Sequence, residues 1–401
     1  MSLPTVLLAG ALDTKSEEYR LACDLAAARG LRPLLVDVSV LGQSPVAADI
    51  TPQAVCEAAG VTLRAVREAA DRSASLELMS RGLARIVADL HTRGAIQGVF
   101  AMGGSGALTV AAPAFRALPL GVPKVILTTM AASDLSSVIG PSDLLVMPAV
   151  VDLAGVNRVN RFQIDRAVAT VAAMIGVPAE LDGATPAVGL TMLGVTTIGV
   201  TGAARRLTDA GCEALTFHAN GAGGRVLEAL AGSGWLRGVL DLTTGEIASG
   251  LLGGTNAAGP ERLTVAGAQA IPQVISVGGC DLVIFGGPDA VPGQYRQRTL
   301  YQHGATATLM RTSVEECALI GAEIARRLAA ARGSVTVLLP TDGVSALSER
   351  GGPFEDAAAD EALVASLRSG LAARATSEVV SGALNTHAFG ERAADLLIAA
   401  L

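Results

Sequence analysis

Aromatic side chains are almost missing from this 401-residue chain. One Trp, three Tyr and seven Phe leave little to stack nucleobases or to build an aromatic protein interface. Lysine is scarce, no Lys/Arg block occurs, and the net charge of −7 supplies no basic face for phosphate neutralisation, which argues against a nucleic-acid partner. The five cysteines (Cys23, Cys56, Cys212, Cys280, Cys317) are odd in number and form no C-x-x-C pair, so neither a disulfide framework nor a zinc site is indicated; they are expected to be small buried hydrophobes. No apolar run reaches the roughly 18 residues a membrane-spanning helix requires. Met1 leads straight into the apolar Val6–Gly10, with no positive leader region and with Asp13 and Lys15 following at once, so a cytoplasmic, soluble protein is expected. Walker A and a G-x-G-x-x-G with its acidic ribose ligand, the two commonest nucleotide motifs, are absent; a Gly-x-Ser-x-Gly elbow and a His-x-x-x-His pair are lacking too, which speaks against a serine or zinc hydrolase.

What remains is rich in Ala, Val, Leu and Gly, the composition of parallel sheets covered by helices. The length exceeds one ordinary core, and the fold expected is α/β, with two tandem Rossmann-like, doubly wound domains. Val6–Leu12, the helical pattern to Arg29 and Pro33–Val38 open a βαβ unit. Leu76, Met79, Leu83, Ile86 and Leu90 mark a long amphipathic helix over 74–94. Strands follow at 98–102 and 122–127, with a helix marked by Ile164, Val168, Val171 and Ile175. The proline-bounded stretch 178–186 reads as the linker, dividing 1–180 from 186–401. The second half repeats the alternation, with strands at 188–193, 213–218, 237–241, 272–277, 281–286, 335–339 and 377–381. Helices are expected near 200–207, 222–233, 259–270, 312–331, 358–372 and 388–400.

In such sheets ligands bind beyond the carboxyl ends of the strands, where helix N-termini present N–H groups to anions. Gly103, Gly104, Ser105 and Gly106 leave a strand and enter a helix, as phosphate loop or as plain βα turn; Pro113 makes that helix short or kinked. Thr128 and Thr129 end the next strand. Gly10 precedes Asp13, Thr14 and Lys15, which offer a carboxylate, a hydroxyl and a cation to a polyphosphate but also resemble a helix start. Gly194, Thr196 and Thr197 occupy the corresponding loop of the second half, where capping explains one threonine rather than two. His218, Gly223, Gly224 and Arg225 crowd one strand end: His218 as general base or polar contact and Arg225 as anion clamp, or all as a glycine-rich turn around a hydrogen-bonded histidine. Asp241 and Glu246 at the next strand end suit acid–base work, or a helix N-terminus. His91, His303 and His387 read as structural.

Together, Leu12–Lys15, Asp37–Gly42, Gly103–Gly106, Gly189–Thr197, Phe217–Ala219, Gly223–Arg225, Asp241–Thr244, Thr308–Thr312 and Gly343–Ala346 resemble a bacterial and fungal family of uncharacterised proteins. That family shares its domain with the N-terminal, ATP-binding part of the tomato mosaic virus resistance protein. The resemblance covers essentially the whole chain and implies two Rossmann-like subdomains, ATP binding, Mg2+ being an optional companion, and self-association as a homodimer or larger assembly. The family pattern has glycine at Ser16, Ala-Ser-Gly-Asp at Ala131–Asp134, asparagine at Ile284 and His-Asn-Pro at His303–Ala305, so substrate contacts are expected to differ here. An ATP-dependent enzyme acting on a small anionic metabolite in the inter-domain cleft is the expectation, with a nucleotide-responsive regulatory module as the alternative.

Overall fold

The computed structural model describes residues 3–69, 71–133, 135–177 and 185–401. The linker stretch 178–184 therefore lies outside the described residues. Two compact units divide the chain, Met1–Leu181 and Asp182–Leu401. Among the described residues, no helix is long and apolar enough to cross a membrane.

In the first unit five strands, β1 (Thr5–Gly10), β2 (Arg32–Asp37), β3 (Gly98–Gly103), β4 (Lys124–Thr128) and β5 (Leu145–Pro148), form one parallel sheet in the order β2-β1-β3-β4-β5. The helices are α1 (Leu12–Ala27), α2 (Pro52–Ala59), α3 (Leu63–Glu68), α4 (Arg72–Thr92), α5 (Ser105–Arg116), α6 (Ser136–Ile139) and α7 (Arg158–Ile175). Strand alternation divides the core in two. Leu7, Ala9, Val99 and Ala101 face α2, α4 and α5, whereas Val6, Leu8, Phe100 and Met102 face α1 and α7. Because β1 is followed to one side by β2 and to the other by β3, the helices leave β1 and β3 on opposite faces. A crevice opens between the carboxyl ends of these two strands.

The second unit begins with β6 (Ala187–Met192), α8 (Thr197–Asp209), β7 (Glu213–His218), α9 (Ala222–Gly232), β8 (Gly238–Thr243), α10 (Glu246–Leu252), α11 (Val265–Ala268) and β9 (Gln273–Gly278). An antiparallel sheet of β10 (Leu282–Phe285), β11 (Leu300–His303) and β12 (Ala307–Arg311) is inserted before α12 (Val314–Leu328), β13 (Val335–Pro340), α13 (Ala357–Gly370), β14 (Ala375–Val380) and α14 (His387–Ile398). Six parallel strands run β14-β13-β9-β8-β6-β7, so the switch point falls between β6 and β8.

Two expectations are corrected. The helix foreseen over 259–270 is reduced to Val265–Ala268; Pro260 and the positive φ of Leu263 (67°) and Ala270 (58°) break the pattern, and the unwound segment delivers Arg262 into the interior. The strand foreseen at 281–286 exists but pairs antiparallel to β12, outside the main sheet.

Candidate functional site

At the β1/β3 crevice of the first unit a cavity of about 540 Å³ is lined by Gly10, Asp13, Thr14, Lys15 and the whole Gly103–Gly106 turn, together with Val38–Leu41 and residues of α3, α4 and α5. Two separate sequence signals thus converge on one cavity. Gly10 has no Cβ because Tyr19 lies against it; a Cβ there would stand 2.0 Å from the ring. The Tyr19 hydroxyl, buried on α1, donates to the Ala9 carbonyl (2.5 Å) and accepts from the Met102 N–H (2.8 Å), bridging the strands where they part. Burial raises the Tyr19 pKa, so the phenol stays a donor.

The Asp13-Thr14-Lys15 stretch is no capping box. Asp13 accepts the Gly42 N–H (3.0 Å), its own N–H donates to Ser39 Oγ (3.0 Å), and the Thr14 hydroxyl returns to the Ala11 carbonyl. Asp37 in turn accepts the N–H groups of Leu12 and Ser39. These bonds pin the loop after β2 against the start of α1 and make Val38–Leu41 the apolar wall, with Leu41 85% exposed at the rim. Lys15 departs from helical geometry (φ −133°, ψ 32°), and its ammonium donates to the Leu153 carbonyl.

Across the crevice, Gly103 has a positive φ of 150° and a Cβ on it would meet Ala107, so glycine is demanded by the fold. Gly104 is different. As N-cap of α5 it makes no side-chain cap, and a Cβ there would touch only Thr129 Oγ1 at 3.6 Å. The first amides of α5 therefore face the cavity without a capping side chain. Thr128 is buried and its hydroxyl accepts from Met130 N–H; Thr129 packs beside Gly104, and neither lines the cavity.

In the second unit the crevice is filled by the protein itself. Arg262, 1% exposed, donates to both oxygens of Asp241, to Glu246 Oε2 (2.6 Å) and to the Thr243 carbonyl (3.3 Å), with Glu228 at 3.5 Å. Burial raises the Glu228 pKa, while the surrounding carboxylates hold Arg262 charged. Glu246 Oε1 also accepts the Gly221 and Gly224 N–H groups (2.6 and 3.2 Å), so a carboxylate of the chain occupies the anion position at the start of α9. Gly224 is glycine for that reason: its Cβ would stand 2.1 Å from Glu246 Oε2. Gly223 has its own constraint, backing onto the His218 carbonyl.

Sealed and saturated, Asp241 and Glu246 are not positioned to exchange a proton with a ligand, and the geometry assigns them to the framework. Thr196 is likewise internal, whereas Thr197 is exposed. Thr196 Oγ1 bonds the Leu193 N–H and Thr243 Oγ1 (2.8 Å), and Thr197 Oγ1 returns to the carbonyls of Leu193 and Gly194. His218 is exposed at the end of the edge strand β7, and the Arg225 guanidinium donates to the Ala257 carbonyl (3.1 Å). Sequence reasoning missed Tyr19, Arg72 and Arg262. Tyr19 carried a signal, seven residues after Leu12 on the inward face of α1; Arg262 carried none.

The model of the N-terminal domain of the uncharacterised protein family UPF0261 matches residues 4–180, and that of its C-terminal domain residues 185–401. A UPF0261 protein of Clostridium tetani is 38% identical over 364 residues, 90% of both chains. Another, of Rhizobium meliloti, is 41% identical over 364 residues, 91% of this chain and 90% of the relative. The ToMV resistance protein Tm-1(GCR237) of Solanum lycopersicum is 39% identical over 303 residues, 74% of this chain and 40% of the plant protein. The chain belongs to the UPF0261 family.

Proposed function

We propose that the N-terminal domain binds a nucleotide, ATP for preference, in the β1/β3 cavity. One observation carries this: the cavity joins a glycine turn with uncapped helix amides to an apolar wall of Val38, Val40, Leu76 and Val110, the two chemistries a nucleotide's phosphates and base require. Its volume of about 540 Å³ falls in the range of small-molecule sites. Asp13 and Thr14 line the same cavity and are the groups that would meet Mg2+ brought by the phosphates. The sealing of Asp241 and Glu246 favours a nucleotide-responsive module over an ATP-dependent enzyme acting through those carboxylates. For the self-association implied by the resemblance, Val150, Val156, Val159 and Phe162 offer exposed apolar surface. A monomeric mass by light scattering at micromolar concentration counts against it.

Titration calorimetry with ATP and ADP, with and without magnesium, tests the reading, and silence at several-millimolar nucleotide sinks it. Gly104→Val is the sharper probe, because the fold has room for the side chain and the loss of affinity then reports the ligand's approach to the backbone. His218→Ala is expected to leave binding unchanged, the residue not lining the cavity.

A further inference from the structure

Lysine occurs at only two positions, 15 and 124, among 30 Lys and Arg residues. Lys124 is fully buried at the amino end of β4 and consumed by the Pro119 and Val122 carbonyls (2.6 and 3.0 Å) and Asp143 (2.5 Å). Lys15 is the one that reaches a cavity. Its non-helical backbone interrupts the first turn of α1, and its Cε lies 3.6 Å from the point where a Cβ of Gly103 would stand. The Leu153 carbonyl takes one of the three ammonium protons, holding the stem in place and leaving two donors. From α4, on the other side of the same turn, Arg72 brings Nη2 to 3.9 Å from the corresponding Cβ point of Gly106. Among the described residues no carboxylate lies within ion-pairing distance of either cation. Nearly every cation of this chain is a guanidinium, yet here a compact ammonium on a flexible stem faces a planar fork, the pairing suited to a group that needs both a point charge and bidentate hydrogen bonds.

We infer that Lys15 and Arg72 form a two-sided clamp that makes the cavity select ligands carrying a phosphoryl dianion. This rests on the nucleotide reading of the same cavity. Arg67, Asp13 and Asp71 also line the cavity, but Arg67 donates to the Val40 and Gly42 carbonyls, Asp13 accepts the Gly42 N–H and Asp71 accepts the Ser73 and Ala74 N–H groups, so Lys15 and Arg72 are the cations that flank the glycine turn, and a doubly charged group offsets both at once.

The test is calorimetry of the full chain and of Lys15→Met and Arg72→Met with ATP across a range of ionic strength. Lys15→Arg and Arg72→Lys serve as charge-conserving controls, and circular dichroism reports the fold. Each methionine variant is expected to weaken ATP binding by roughly ten- to a hundredfold, the worth of a charged hydrogen bond, and to flatten the salt dependence; the charge-conserving variants keep most of that dependence. Parent-like affinity and salt dependence in both methionine variants overturns the clamp and leaves the nucleotide reading standing. Weakened binding with an unchanged salt dependence also overturns it, because the two side chains then act by shape. If the parent itself fails to bind ATP, the nucleotide reading falls and the clamp falls with it.

Discussion

Gly10 and Tyr19 decide together how β1 and β3 part, since one phenol hydroxyl satisfies the strand groups that the parting leaves unpaired. Tyr19→Phe is expected to cost about 1–3 kcal/mol, read as a lower urea midpoint, because the Met102 N–H and Ala9 C=O stay buried without a partner. The same logic is harsher at Arg262. Arg262→Met leaves Asp241, Glu246 and Glu228 facing one another without a cation, and a loss of about 3–5 kcal/mol is expected by denaturant unfolding. A variant within 1 kcal/mol of the parent would show that water or protonation relieves the cluster.

Two helix starts illustrate how one kind of element serves two ends. The start of α9 is filled by the chain's own Glu246, whereas that of α5 faces a cavity. The strand–glycine–helix grammar of both loops was legible in the sequence; which was already occupied was not, because Glu246 reaches α9 from the start of a different helix, α10. On α12, Glu323 is held down to about pKa 2, first by the hydrogen bond from Arg326 and also by Arg327. A depressed carboxylate contributes stability above its ordinary pKa and loses it as pH falls through the folded value. The stability difference between parent and Glu323→Gln, of up to about 1 kcal/mol near neutrality, is therefore expected to vanish between roughly pH 4.5 and 2. Urea midpoints at a few pH values across that window measure it.

For the molecule as a whole, two parallel sheets built alike carry different interiors at their switch points. If ATP binds as proposed, hydrogen exchange should slow at Gly10–Lys15, Val38–Leu41 and Gly103–Ala111, while the β6–β8 region keeps its rates. Slowing confined to the second unit would contradict the assignment. Free ligand at about a hundredfold its dissociation constant stabilises by about 2.7 kcal/mol, enough to raise the melting transition of the first unit visibly.

The alternation of continuous apolar strands with amphipathic helices determined the α/β class and the tandem parallel sheets, because period and run length are local properties of the chain. Glycines at Gly10 and Gly103–Gly106 were legible as loop positions for the same reason. The antiparallel β10-β12-β11 insertion was not, since β11 (Leu300–His303) is wholly exposed and its polar surroundings give it no burial pattern. Tertiary structure alone decided which loops meet, that Asp13 turns to Gly42 instead of capping its helix, and that Arg262 leaves a would-be helix to neutralise three distant acids. Those outcomes depend on desolvation: a buried charge takes whatever partner the fold brings within reach, however far away it stands in the sequence.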